Sequence, residues 1–396
     1  MHLFFVSIAG AGHVNPTLPL ARELVNRGHH VTFATDEKLR PAVEAAGATL
    51  LPLPTLGLPD LATATGPGAG LVELMRLQIQ TIRDGILEKH LDQARPDAVC
   101  YDSMTQSGRV TADKLGIPAI ALNPSYATNE HFSMRSLAAQ NPSAMPAGQI
   151  QIFQRLRDMA AEFAAERGGR PLQLLGAPPA DLNIVFIPRQ FQYEGATFDD
   201  RFHFVGPSLG NRDADTDWQP PTTNKPLLFI SLGTTPFNNN ADFFRKCIQA
   251  FTEGPWQVAI AIGSQTSPAD LGPIPDNIEV RAFFPQLAVL SHADVFLSHT
   301  GMNSTMEALY YGVPIVAVPQ QPEQQANARR VDQLGLGRHL STDITPEVLR
   351  YAVEEVHADT EIRENLTQMS TIVRNSGGAP AAADAIEHHL TGRALP

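Results

Sequence analysis

The chain has 396 residues, 43% of them hydrophobic and 18% charged, so each half can bury a core and a disordered protein is excluded. Lys and Arg number 29 against 41 Asp and Glu, a net charge of −12 with no basic block, which argues against nucleic acid or an anionic membrane as a partner. The 2 Cys, Cys100 and Cys247, support neither a disulfide scaffold nor a structural zinc site.

The chain opens on the apolar run LFFVSIAG (3–10), which lacks the basic start of a signal peptide and reads as a core strand. It meets Gly10-Ala11-Gly12-His13, and a helix follows with Asn15 as expected N-cap, Pro16 at its first position and Gly28 as its stop. HVTFAT (30–35), AVCYD (98–102), AIAL (119–122) and NIVFIP (183–188) continue a pattern of short apolar strands separated by helical segments, and FHFVGPS (202–208) precedes the point where the pattern restarts. Segments 55–80 and 125–175 break the pattern and, rich in Pro, Met and Phe, are expected to be nonrepetitive and to wall a pocket.

A polar, Pro-rich stretch (NRDADTDWQPPTTNKP) then reads as a linker, after which the pattern restarts. LLFISLGTT (227–235), VAIAIGS (258–264), IEVRAFF (278–284), VFLSHTG (295–301) and PIVAVPQ (314–320) form the second series. The expectation is an α/β chain of two doubly wound Rossmann-like parallel sheets facing a central cleft. The bounds are 1–208 for the first domain, 209–226 for the linker and 227–376 for the second domain. A last helix, 377–396, is expected to pack back on the first domain. No stretch reaches the 18 apolar residues of a membrane span, and a cytoplasmic protein is expected.

Ligands of such sheets bind at the carboxyl ends of the strands, so His13 and Asp102, each at a strand end, are expected to meet as imidazole and carboxylate. A turn residue, a helix cap, or a dinucleotide fingerprint completed by Asp36 are the competing readings, although Asn15 stands where that fingerprint needs a third glycine. HTGMNSTME (299–307) leads a strand through a glycine turn into a helix, whose free N–H groups and positive dipole end suit an anion. His299 and Ser304 can add hydrogen bonds to phosphate, and Glu307 can accept from ribose hydroxyls. Phe283 can stack on a base, with core filling as the alternative. Glu323 and Gln324 can read sugar hydroxyls, with a solvated loop as the alternative. Asp213 and Asp215 imitate a metal-binding pair, but they fall in the polar linker.

GHVNP near the N-terminus, the strand-end Asp102, SLGT (231–234), FFPQ (283–286), HTGMNSTMEAL, GVP (312–314) and PQ-x-x-EQ occur together in one order. In this the chain resembles, over nearly its whole length, family 1 nucleotide-sugar glycosyltransferases of GT-B type, bacterial macrolide and natural-product glucosyltransferases above all. The resemblance implies an enzyme, with His13 as general base and Asp102 as its partner. It assigns Gly233, Thr234, His299, Gly301, Asn303 and Ser304 to the donor diphosphate, Glu307 and Gln286 to the ribose, and Glu323 and Gln324 to the sugar. Phe283 stands where many members stack a Trp on uracil. Tyr126, Phe132, Met134 and Phe153 are expected to line the acceptor pocket. The implied reaction is inverting, metal-independent transfer of a hexose, glucose by resemblance, from a UDP- or TDP-sugar to a hydroxyl of a hydrophobic natural product. No cofactor is implied beyond the donor co-substrate. Monomer and homodimer both stay open. Alternatives are a nicotinamide oxidoreductase, a nucleotide-sugar epimerase of the same architecture, and a non-catalytic auxiliary of another transferase.

Overall fold

The computed structural model describes residues 1–53, 69–139, 149–166, 178–210, 217–233, 241–340 and 344–392. Two compact units are present: Met1–Gly210 with Ser376–Pro396, and Asn211–Asn375.

In the first unit, β1 (His2–Val6), β2 (His30–Thr35), β3 (Thr49–Pro52), β4 (Ala98–Asp102), β5 (Ala119–Asn123), β6 (Leu182–Val185) and β7 (Phe202–Phe204) form one parallel sheet. Its order is β3-β2-β1-β4-β5-β6-β7. In the second, β8 (Leu227–Ser231), β9 (Gln257–Ala261), β10 (Ile278–Arg281), β11 (Val295–Ser298), β12 (Ile315–Ala317) and β13 (Gly337–His339) form another, also parallel. Its order is β10-β9-β8-β11-β12-β13.

Strand composition explains the burial on both faces. Leu3, Phe5 and Cys100 join one core cluster, while Phe4, Val6, Val99 and Tyr101 join another, as the period-two alternation of side chains requires. Both faces being apolar, these strands read as continuous runs rather than as alternating ones. The last helix, Gly378–Thr391, adds Ala382, Ala383, Ala385 and Ile386 to the first of these clusters.

Three expectations are corrected. The first helix is Ala11–Asn26 with Gly10 as its N-cap, so Asn15 and Pro16 lie inside it. Pro16 sits beyond the first turn and has no N–H for the carbonyl four residues back. Nearby, the Thr17 hydroxyl donates to the Val14 carbonyl at 2.9 Å. Part of the region expected to be nonrepetitive is helical: Ala69–Arg83, Met134–Ala139 and Gln149–Glu166. Met75, Ile79 and Ile82, at helical spacing, pack with Leu156 and Phe163. The short strands β3 and β13, each an outer strand of its sheet, were not expected at all.

Candidate active site

Each sheet reverses its direction of winding once, between β1 and β4 in the first unit and between β8 and β11 in the second. At such a switch point the neighbouring connections diverge and leave a crevice at the strand ends. His13 and Asp102 fall at the first of these places, and Gly233 and the turn His299–Gly301 at the second.

In the first unit, His13 is in the first turn of the helix that follows β1, and Asp102 ends β4. His13 Nδ1 lies 2.7 Å from Asp102 Oδ2. The other carboxylate oxygen accepts the Met104 backbone N–H at 2.7 Å, which fixes the carboxylate plane. Asp102 is fully buried, whereas the His13 side chain is 28% exposed. An ionised carboxylate only accepts, so the Nδ1 position carries the proton and Nε2 keeps its lone pair. The helix after Asp102 is capped at Thr105, so Asp102 is not its N-cap. Asp36 accepts the Lys38 N–H and caps a turn of its own.

In the second unit, Gly233 follows β8 with φ +77°, and His299 to Gly301 follow β11. A Cβ on Gly233 would stand 2.7 Å from His299 Nε2, and one on Gly301 2.5 Å from the same atom. The imidazole therefore occupies a slot walled by two glycines. Burial pushes the His299 pKa down to about 4, with a backbone contact to Ser231 opposing, so the ring is neutral at physiological pH. Its Nδ1 is buried with no hydrogen-bond partner.

Gly301 is also the N-cap of the helix Met302–Tyr311 and supplies no side-chain cap. That end points backbone N–H groups out of the helix and carries positive partial charge, the physical requirements for an anion site. Asn303 and Ser304 lie in its first turn. Gln286 Nε2 donates to Ser304 Oγ at 3.1 Å and to Glu307 Oε2. Glu307 is only 2% exposed, so it is not a solvated helix charge. Phe283 is 59% exposed, and its neighbour Phe284 instead packs against Phe229. Phe283 is therefore not a core residue.

Glu323 is exposed on the first turn of the helix Pro322–Gln333, and Gln324 is buried, its Oε1 accepting the Gln320 N–H at 2.8 Å. Two residues given no role from sequence complete this region. Thr300 has φ +59°, and Asn327 Nδ2 donates to its carbonyl at 2.8 Å. The available signal was that Asn327 falls three positions after Gln324, on the same helix face.

Of the expected pocket residues, Tyr126 and Phe132 are buried in an aromatic cluster with Phe191 and Tyr193. Met134 is half-buried at the start of its helix. Thr234, Asp213 and Asp215, and the side chain of Phe153, lie outside the described residues. Cys100 and Cys247 are buried thiols whose pKa burial pushes above the usual range. Among the described residues no group of His, Cys, Asp and Glu could hold a metal ion, and no helix is long and apolar enough to cross a membrane.

Residues 249–384 match the family described as erythromycin biosynthesis protein CIII-like, C-terminal domain. The chain is 38% identical to the NDP-glycosyltransferase YjiC of Bacillus subtilis, across 100% of this chain and 99% of that one. It is 35% identical to the demethyllactenocin mycarosyltransferase of Streptomyces fradiae, across 98% and 87%. Among solved structures, the calicheamicin glycosyltransferase CalG4 superposes with a TM-score of 0.82 at 35% identity, covering 100% of this chain and 99% of that chain. With the fold and full-length similarity in agreement, the chain belongs to the GT-B glycosyltransferase family of these bacterial macrolide and natural-product enzymes.

Proposed function

We propose that this glycosyltransferase moves glucose from UDP-glucose to a hydroxyl of a hydrophobic natural product of the macrolide, flavonoid or polyketide kind, with inversion. The His13–Asp102 pair carries the reading. A hydroxyl is a poor nucleophile at neutral pH, and an imidazole whose other ring nitrogen is held by a buried carboxylate is suited to activating it. As the acceptor oxygen attacks the anomeric carbon, its proton passes to His13 Nε2, and Asp102 stabilises the imidazolium. The bond from the anomeric carbon to the diphosphate breaks, and its electron pair leaves on the phosphate oxygen. In-line attack on an α-linked donor yields a β-glycoside.

The leaving charge is met by the N–H groups at Gly301–Ser304 and by neutral His299 as an N–H donor, positioned before the bond breaks. On this reading no metal is needed. Glu307 accepts the ribose hydroxyls with Gln286 beside it, Phe283 stacks on the base, and Glu323 and Gln324 read the sugar. The named activities of the relatives on macrolide-type molecules support a bulky apolar acceptor. The absence of a membrane-crossing helix among the described residues is compatible with a cytoplasmic enzyme.

Purified protein incubated with UDP-glucose and a panel of macrolide, flavonoid and polyketide acceptors is expected to add 162 mass units, roughly one hexosyl group, to at least one of them, with excess EDTA present. TDP-glucose in a parallel reaction discriminates the base. His13→Ala is expected to lower kcat about a hundredfold or more while calorimetric UDP affinity stays as in the parent. A His13→Ala variant of full activity would remove the base, and a requirement for added Mg²⁺ or Mn²⁺ would bring a metal back.

A further inference from the structure

The turn that joins β11 to the helix Met302–Tyr311 does not hold its own shape. Thr300 sits in the left-handed region, which a β-branched residue avoids unless its surroundings enforce it. The enforcing groups are all buried. The Thr300 N–H donates to Ser298 Oγ at 3.0 Å. The Thr300 hydroxyl reaches the His299 carbonyl at 2.6 Å and the Gln324 carbonyl at 3.0 Å. Asn327 Nδ2 donates to the Thr300 carbonyl at 2.8 Å. Two of these partners, Gln324 and Asn327, belong to the helix Pro322–Gln333, whose first turn also carries Glu323. Asn327 Oδ1 and His299 Nδ1 remain buried without partners, so the turn is kept polar at a cost that tight packing alone does not explain.

We propose that Thr300 and Asn327 are positioning residues for the donor. They lock the turn presenting His299 and Gly301 to the turn presenting Glu323 and Gln324, so that leaving group and sugar are read in one rigid frame. This rests on the assignment of the Gly301 helix end to the diphosphate. A site that stabilises developing charge works only if its donors are in place before the bond breaks, and a strained residue held by two neighbouring side chains and two backbone carbonyls has little freedom to relax. A glycine here would reach the same φ without strain, but it would also reach others.

The experiment measures UDP binding by calorimetry, thermal unfolding and steady-state kinetics for Thr300→Gly, Thr300→Ser and Asn327→Ala in the full chain. Thr300→Gly is expected to keep or raise the melting temperature, because strain is released, yet to weaken UDP about tenfold. Thr300→Ser keeps the hydroxyl and is expected to bind UDP as the parent does. Asn327→Ala is expected to raise the donor KM by a similar factor, with acceptor KM unchanged. Parental UDP affinity in Thr300→Gly overturns the proposal. So does loss of affinity in step with loss of melting temperature in both Thr300→Gly and Thr300→Ser. If the parent protein itself binds neither UDP nor TDP, the diphosphate assignment fails first, before any variant is compared.

Discussion

Asp102 offers its two oxygens to two different donors, and this makes its amide variant informative. In Asp102→Asn the Met104 N–H still requires an acceptor, so the amide oxygen turns that way and the NH₂ faces His13 Nδ1. Nδ1 then must accept, the proton moves to Nε2, and the base loses its lone pair. Turnover is expected to fall about two to four orders of magnitude with UDP affinity intact, as steady-state kinetics and calorimetry would show. His299 titrates in the opposite sense to a paired histidine. With a folded pKa of about 4 against about 6.5 unfolded, its contribution to stability is whole above pH 6.5 and is lost as pH falls towards 4. The loss is on the order of 3 kcal/mol, and denaturant unfolding across that window, compared with His299→Gln, measures it. At this scale the sequence was informative where a residue ends a strand or opens the helix after it. His13 and Asp102 could be paired because neighbouring strand ends must converge. Asn327 could not, because its contact depends on how one helix lies against a turn.

Among elements, the glycine-walled slot has a packing role as well as the proposed phosphate one. Gly233 was expected to face the diphosphate, but its missing side chain also makes room for His299. Gly233→Ala adds a methyl at 2.7 Å from the imidazole at a φ of +77°, and it is expected to lower both melting temperature and UDP affinity, read by scanning fluorimetry and calorimetry. Most strands were legible because strands buried on both faces are apolar throughout. β13, Gly-Arg-His, has no apolar residue, and β3, Thr-Leu-Leu-Pro, merges with a Pro-rich run, so each is defined by its neighbour's hydrogen bonds rather than by its own composition. The first helix was placed too late because its true start has no capping side chain. Apolar residues scattered through a mostly polar segment such as 125–134 carry no mark that separates a pocket wall from a core. Tyr126 and Phe132 could be weighed only once Phe191 and Tyr193, some sixty residues on, were seen against them.

For the whole molecule, the last helix is a fastening of the first unit. Arg27 donates to Asp384 at 2.6 Å, to Glu387 at 2.9 Å and to Glu23 at 2.8 Å, while His29 Nε2 lies 2.6 Å from Glu387. The hydrogen bond from His29, with Arg27 adding to it, holds the Glu387 pKa below the usual carboxylate range against the effect of burial. This contribution is whole above that range and fades as pH falls through the lowered value. Arg27→Ala is expected to cost about 1–3 kcal/mol in urea unfolding, since three carboxylates lose a shared cation. Cutting the chain at residue 375 would bare the apolar face that takes Ala382 and Ile386, and insoluble protein is expected.

The return of the chain has a further consequence. The Gly378 N–H donates to the Val205 carbonyl at 2.8 Å, so the strand of chain departing at Gly210 and the one arriving at Ser376 are moored to the same patch. Residues 211–375 are in that respect a cassette spliced into a host fold, with both splice ends within a few residues of one hydrogen bond. Exchange of this insert for the equivalent piece of a relative leaves the path of the host chain unchanged, because both ends stay where they are. On the proposed assignment of the donor to this unit, donor preference would be a portable property, inherited through one contiguous stretch of gene.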